Sequence, residues 1–220
     1  MIRSYIALDL ETTGLSPKED RIIEIAAVKV ENGVIRDRYV TLVNPGRLLE
    51  ARITELTGIT DEMIREAPVM EEILEEVLEF CGGLPLLGHN ITFDYSFLKQ
   101  AAINQKRSFE AEAVDTLKLC RRYMPEEEKK NLGAACAFYG IDLSGAHRAL
   151  ADAMGAHLLY EKLAALYGAG HEECFAAVPL NYKAKRVQPA TKRQKEYLQD
   201  LLKCHRIDVT VQIEHLIIFV

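Results

Sequence analysis

Two acidic residues that directly follow a short apolar strand constrain this chain more than any other feature of its sequence. Residues 5–10 read YIALDL, and Asp9 and Glu11 stand two positions apart at the end of this run. Because residues i and i+2 of a strand point to the same face, both carboxylates project side by side. Like charges held close at a buried strand end repel each other, and a bound divalent cation would remove that cost. The alternative is a solvated strand end with two ordinary acids.

The order of the remaining elements predicts the fold class. Residues 22–30 and 34–43 are strand-like and are joined by Asn32-Gly33, a strong hairpin signal. Residues 84–89 and 113–116 read as short strands, and helical patterns lie between and after them. We therefore predict an α/β chain with a mixed five-stranded sheet, an antiparallel meander plus parallel strands, flanked by helices. The predicted helices cover residues 70–81, 93–105, 117–123, 132–139 and 147–167.

Composition excludes several classes of protein. The net charge of −6 argues against a generally basic nucleic-acid binder, but it allows an enzyme that grips nucleic acid locally. The five cysteines form no C-x-x-C pair, so we expect reduced thiols in a cytoplasmic protein rather than a zinc site. Asp9 and Glu11 interrupt the N-terminal apolar run, and no run of about 18 apolar residues follows. We expect neither a signal peptide nor a membrane partner.

The composition changes near Gly168, which predicts a domain over residues 1–168 and a basic linker and C-terminal extension over residues 169–220. Residues 183–206 carry eight Lys or Arg against two acids, and residues 191–204 have a helical pattern. The extension is either an arm that tracks phosphates, since Lys and Arg gain affinity by counterion release, or a docking helix for a polymerase or repair partner.

Three further residues belong with the first acidic pair. Asp94 begins a helix straight after a buried strand, and His147 and Asp152 stand five positions apart near the start of a long helix. Five helical positions leave a net rotation of about 140°, so these two side chains meet in one pocket only if His147 lies at a loose helix start. Four carboxylates and a histidine near strand ends indicate phosphoryl chemistry assisted by two divalent ions, with His147 taking the proton from the attacking water.

Three motifs carry a resemblance to a known family. DLETTG, GHNITFDYSFL and HRALADA, in this order and spacing, resemble the exonuclease motifs of the DEDDh family. The similarity covers residues 2–166. Within this family, the chain resembles the proofreading ε subunit and the exonuclease domain of bacterial DNA polymerase III. It implies an RNase H-like fold and 3′→5′ hydrolysis of nucleic acid with two Mg²⁺ or Mn²⁺ ions. By this resemblance the metal ligands are Asp9, Glu11, Asp94 and Asp152, and the general base is His147.

Other positions are expected to meet the substrate or to support the site. The stretch around Thr12 and Thr13 resembles the backbone that meets the 3′-terminal nucleotide, and we expect Leu56 to line the path of the terminal base. Asn90 is predicted to hold the loop of the second motif beside the substrate. We expect a structural hydrogen-bonding role for His89, whereas His157 has no partner that the sequence identifies.

The predicted function is a 3′→5′ exonuclease that removes nucleoside 5′-monophosphates from single-stranded or frayed DNA ends in proofreading or repair. One alternative is an RNA exonuclease of the oligoribonuclease or ribonuclease T type, which would recognise the 2′-OH. Another is a non-catalytic module that binds nucleic acid or a polymerase. All five key residues are present, which disfavours this last alternative.

Overall fold

The computed structural model of the protein describes residues 1–143, 148–186 and 191–204. His147 lies outside the described residues, and so do residues 205–220. The chain divides into two compact units, Met1–Ala184 and Lys185–Val220. In the part of the second unit that the structure describes, Lys192–Cys204 forms a helix, which agrees with the prediction for residues 191–204.

A mixed sheet forms the centre of the first unit and confirms the predicted α/β class. Its order is β3-β2-β1-β4-β5-β6, with β1 antiparallel to β2 and parallel to β4. Within the described residues the sheet has six strands rather than the predicted five, because a two-residue strand pairs antiparallel with β5 at the edge. Proline is tolerated there because an edge strand has no second ladder to donate to. The strands are β1 (Tyr5–Thr12), β2 (Ile22–Glu31), β3 (Val34–Leu42), β4 (Leu86–Gly88), β5 (Glu112–Asp115) and β6 (Val178–Pro179).

The predicted hairpin between β2 and β3 is present. Asn32 and Gly33 have φ angles of 53° and 78°, and positive φ at both central residues is the requirement of a type I′ turn. Every residue of β2 from Ile22 to Val28 is buried, because helices or loops cover both faces of this strand. A charged residue in this stretch, Glu24, therefore needs a partner inside the protein.

The helices lie close to their predicted positions, with boundaries that differ by a few residues. The predicted helix over residues 147–167 is described from Ala149 onward. Among the described residues no helix has the length and apolar character needed to cross a membrane. The helices are α1 (Ala51–Thr57), α2 (Asp61–Ile64), α3 (Met70–Cys81), α4 (Thr92–Asn104), α5 (Thr116–Tyr123), α6 (Leu132–Phe138), α7 (Ala149–Tyr167) and α8 (Lys192–Cys204), with a 3₁₀ turn at Glu172–Phe175.

Alternate residues of β1 enter two different cores. Tyr5 and Ala7 pack with α5, α6 and α7 on one face of the sheet. Ile6 and Leu8 pack with α3 and α4 on the other. This alternation places Asp9 and Glu11 on the face that carries α7, because they continue the series that Tyr5 and Ala7 begin.

The compact unit extends past the predicted boundary at residue 168. Phe175 is fully buried and Leu180 is 7% exposed, and each packs into one of the two cores. Residues 169–184 therefore belong to the compact unit by their packing. A functional division between residues 1–168 and 169–220 stays a prediction.

Candidate active site

Asp9 and Glu11 lie in the part of β1 that extends beyond β4, its parallel neighbour. β4 pairs with Ile6 and Ala7 and then ends at Gly88. The last part of β1 is therefore flanked by a strand on one side, β2, while other elements can approach on the other. Asp9 lies opposite Ala26 of β2 and Glu11 lies opposite Glu24.

The first turn of α7 brings a third carboxylate to this pair. Asp152 lies in that turn, and α7 packs across β1, β2 and β4. Asp9, Glu11 and Asp152 each offer a carboxylate oxygen within 4.8 Å of the other two. All three are partly exposed. The structure therefore brings together three of the four acids that the sequence predicted as metal ligands.

Asp94 reaches the same place from the opposite face of the sheet. Helix α4 begins only a few residues after β4, so its first turn lies at the end of the shortened strand. The Oδ1 atom of Asp94 accepts a hydrogen bond of 2.9 Å from the backbone N–H of Leu10. Leu10 stands between Asp9 and Glu11, so this bond fixes the fourth predicted acid beside the pair.

A close contact between backbones permits this arrangement. At Gly88, a Cβ atom would lie 2.9 Å from the carbonyl oxygen of Leu8 and 2.7 Å from Cδ1 of Ile91. Any other residue would push β4 away from β1 at the point where the chain turns into α4. Gly88 thus lets the end of β4 lie close to β1 and to Ile91, just before α4 and Asp94.

Burial and like charge raise the pKa values of Asp9, Glu11 and Asp94. Burial raises the pKa of Glu11 to about 7, and Asp152 and Glu24 push in the same direction, while Arg148 lowers it. Burial likewise raises the pKa of Asp94 to about 8, against the hydrogen bond from Leu10. The pKa of Asp9 is raised well above its usual range by burial, then by Asp94 and Asp152.

Such a cluster fits divalent cations. Carboxylate oxygens are the ligands that Mg²⁺ and Mn²⁺ prefer, and a bound cation reverses the repulsion that raises the pKa values. The same four acids are therefore the candidates to hold such an ion.

Glu24 is a residue whose role the sequence left open between a polar partner and a solvent-facing position. Its side chain is buried, and Arg148 donates to it from Nε at 3.1 Å to each oxygen and from Nη2 at 2.6 Å to Oε1. The backbone N–H of Ala149 donates to Oε2 at 3.0 Å. The polar-partner interpretation is therefore confirmed, and sequence pattern alone could not name the partner across more than a hundred residues.

The predicted substrate residues occupy several different settings. The Oγ1 atom of Thr12 donates to the carbonyl of Gly14 at 2.6 Å. Thr13 is buried, and its Oγ1 accepts from the N–H of Arg21 at 3.0 Å and contacts Arg47 Nη2. Leu56 is 59% exposed on α1. The side chain of Thr13 is thus engaged within its own loop, whereas Leu56 is free to meet a ligand.

Loop residues after β4 are held by hydrogen bonds to the end of β5, to the first residue of α5 and to the loop before α6. Asn90 has a φ of 70°, and its N–H donates to Oδ1 of Asp115 at 2.9 Å. The Nδ1 atom of His89 lies 3.0 Å from Oγ1 of Thr116, and its Nε2 lies 2.7 Å from the carbonyl of Lys130. These contacts agree with the structural role predicted for His89. The bond from Asn90 comes from its backbone, and the role predicted for this residue beside the substrate stays a prediction.

Comparison with known proteins identifies the family. The exonuclease family model matches residues 6–160, more than half of the chain. The chain is 41% identical over 166 residues to DNA polymerase III PolC-type of Bacillus subtilis, covering 73% of this chain and 11% of that protein. It is 37% identical over 151 residues to the DNA polymerase III subunit epsilon of Aquifex aeolicus, covering 68% of this chain and 75% of that protein. The chain therefore spans about a tenth of the length of its PolC-type relatives.

Solved structures support the same assignment. Exonuclease I has a TM-score of 0.67 at 20% identity, covering 79% of this chain and 43% of that chain, which shows the fold. Exonuclease X in complex with 5′ overhanging duplex DNA has a TM-score of 0.58 at 26% identity, covering 73% of this chain and 91% of that chain. The resemblance predicted from the three motifs is thereby confirmed, and the chain belongs to the exonuclease family, whose members are hydrolases of nucleic acid.

Proposed function

We propose that the protein is a 3′→5′ exonuclease that removes nucleoside 5′-monophosphates from DNA ends, in proofreading or repair. The observation that carries the proposal is the meeting of Asp9, Glu11 and Asp152, with oxygens within 4.8 Å of one another, in a member of the exonuclease family. DNA as the substrate is supported by the names of its relatives, a DNA polymerase type and a DNA polymerase subunit, and by the DNA held in the Exonuclease X structure.

The four acids would hold two divalent cations, Mg²⁺ or Mn²⁺, close to the scissile phosphate. When bound, the cations supply positive charge to the attacking and leaving oxygens of an in-line displacement. The protein's part is to keep the four carboxylates close together at the end of β1 and the start of α7. Asp94 does this through its bond from Leu10, and Asp152 through its place in the first turn of α7.

His147 is proposed as the general base that takes the proton from the attacking water. Asp152 and His147 could meet in one pocket only if His147 lies before the regular helix. The described helix begins at Ala149, and Arg148 has an extended conformation with φ of −135° and ψ of 133°. This break in the helical repeat, one residue after His147, supports the proposed role.

Four residues are proposed to contact the substrate or to support its binding. The backbone around Thr12 and Thr13 continues β1 beyond the acids, and Leu56 offers an exposed apolar side chain for a terminal base. Asn90 would hold its loop beside the scissile bond. A polymerase or repair partner for the C-terminal extension, and a cytoplasmic location, stay predictions.

A time course on a 5′-labelled DNA oligomer with a protruding 3′ end tests this function. The reaction is run with Mg²⁺, with Mn²⁺ and with EDTA, beside an RNA oligomer of the same sequence. We expect a ladder that shortens from the 3′ end, needs the cation, is faster on DNA and is lost in His147→Ala. Faster cleavage of the RNA oligomer would favour an RNA exonuclease. No cleavage of either oligomer would favour a binding module.

A further inference from the structure

We propose that Glu24 is a positioning residue, which fixes the first turn of α7 so that Asp152 meets the acids of β1. The inference rests on the proposed function, because it assigns a role in building the same cation site. Glu24 touches none of the reacting atoms in this scheme. It acts through Arg148 and the backbone of Ala149.

The position of Glu24 in the sheet makes it suited to this task. It lies directly opposite Glu11 in the antiparallel ladder between β1 and β2. Its carboxylate is therefore one strand away from the acids and shares the side of the sheet on which α7 packs. A side chain at this place can tie the helix to the strand that carries the site.

The hydrogen bonds at Glu24 replace a missing helix cap. Arg148, the residue before α7, makes no side-chain cap, so the first N–H groups of the helix need other acceptors. Glu24 accepts from Ala149 N–H at 3.0 Å and from the Arg148 guanidinium through three further contacts. Two groups that start the helix are thus held by one buried carboxylate, and the geometry fixes both the helix end and its rotation.

The consequence reaches Asp152 within one helical turn. The N–H of Asp152 donates to the carbonyl of Arg148 at 3.2 Å. The position of Asp152 therefore depends on Arg148, the residue that is hydrogen-bonded to Glu24. Some side chains orient a metal ligand without binding the metal themselves. Their removal typically changes metal affinity by 10- to 100-fold. Loss of the Glu24 contacts should therefore weaken cation binding even though no ligand is removed.

Direct titration with Mn²⁺ in the absence of nucleic acid tests the proposal, by calorimetry or electron paramagnetic resonance. Glu24→Gln and Arg148→Met are compared with the unsubstituted protein, and we expect each to raise the Kd for Mn²⁺ about tenfold. The two variants distinguish positioning from simple charge. Removing a negative charge weakens the binding of a cation at a distance, whereas removing a positive charge strengthens it.

The double variant Glu24→Gln/Arg148→Met leaves no unpaired buried charge and so carries the same test if Arg148→Met does not fold. Positioning predicts that it binds Mn²⁺ as weakly as the single variants, whereas charge alone predicts near-normal binding. Tyr5→Phe, which removes a buried hydrogen bond far along β1 from the acids, is the control for lost stability and should leave the Kd unchanged.

The possible outcomes separate this inference from the proposed function. Tighter or unchanged Mn²⁺ binding by Arg148→Met and by the double variant would overturn the positioning role, even if both variants melt at lower temperature. If the unsubstituted protein degrades DNA and the variants match its Mn²⁺ affinity, the inference alone fails. If the unsubstituted protein binds no Mn²⁺, the proposed cation site fails and the positioning role fails with it.

Discussion

Two ends of the same pair of elements, β1 and α7, use polar groups in opposite ways. At the end of β1 and the start of α7, Asp9, Glu11 and Asp152 place like charges within 4.8 Å of one another. At the start of β1 and the middle of α7, the hydroxyl of Tyr5 lies 2.8 Å from Nδ1 of His157 and donates to Glu161 at 2.9 Å. One end brings three acids together beside the Arg148–Glu24 ion pair, and the other joins donors to acceptors.

The electrostatic state of the two ends follows from this contrast. Asp9, Glu11 and Asp94 have raised pKa values because burial and their neighbours disfavour the charged form. The tyrosine end contains groups that are neutral at pH 7 and the exposed carboxylate of Glu161, and the hydroxyl of Tyr160 donates to the carbonyl of Ile2 at 2.9 Å. We infer that the satisfied end contributes stability to the β1–α7 packing and that the acidic end is maintained at a cost in stability for its chemistry.

The largest expected effect comes from removing one acid. Asp9→Asn keeps the size of the side chain but removes a negative charge and a carboxylate oxygen from the cluster. Exonuclease turnover should fall by several orders of magnitude because cation binding at this place depends on the charge. The measurement is the rate of release from the 3′ end of a labelled DNA strand at saturating Mn²⁺.

The fold should survive this change, since the substitution relieves repulsion between neighbouring acids. Far-UV and near-UV circular dichroism that match the unsubstituted protein would show this. Degradation of DNA by Asp9→Asn at the normal rate would remove Asp9 from the machinery and would break the contrast between the two ends.

The second prediction concerns stability at different pH values in the absence of metal. Asp94 has a pKa raised to about 8, so the folded protein holds this proton at a pH where the unfolded chain, with a pKa near 4, has lost it. Its contribution is therefore fully present below about pH 4 and is lost as the pH rises to about 8. Glu11, with a pKa raised to about 7, acts in the same direction.

Asp94→Asn should remove part of this dependence, because the neutral amide resembles the protonated acid and can still accept from Leu10. Since a shift of one pKa unit is worth about 1.4 kcal/mol, we expect a gain of several kcal/mol in the free energy of unfolding at pH 8 without metal, and a smaller gain at pH 5. Urea unfolding in EDTA at pH 5 and pH 8 measures it. A variant that is less stable than the unsubstituted protein at pH 8 would contradict the raised pKa. Added Mn²⁺ should stabilise the unsubstituted protein far more than the variant.

The residues of the acidic end can be predicted from the sequence more completely than those of the tyrosine end, for a physical reason. Asp9 and Glu11 are neighbours in one strand, and the strand period of two places them on one face without knowledge of the fold. Asp94 and Asp152 each lie near the start of a helix that the sequence predicts. The order of the three motifs matches a family pattern that includes both residues. His147 remains a prediction from that pattern, since it lies outside the described residues.

Contacts between distant segments could not be read in the same way. The sequence identifies no partner for His157, because Tyr5 lies 152 positions away and contacts it only when α7 packs on β1. The partner of Glu24 was hidden for the same reason. The sixth strand is two residues long, too short for an alternating pattern, so its pairing with β5 depends on tertiary packing rather than on propensity.

The smallest expected effect comes from the satisfied end. Tyr5→Phe keeps the ring in the core but leaves Nδ1 of His157 without its partner at 2.8 Å. A buried polar group that loses its hydrogen bond typically costs about 1–3 kcal/mol, so the free energy of unfolding should fall by that amount, as urea unfolding would show.

Tyr39→Phe is the matched control, because the hydroxyl of Tyr39 bonds the exposed Glu76 at 3.2 Å and its loss should change stability by less than about 0.5 kcal/mol. Exonuclease rate and Mn²⁺ affinity should stay normal in both variants. A large loss of either in Tyr5→Phe would mean that the two ends of β1 and α7 are coupled, and the separation between a stabilising end and a chemical end would fail.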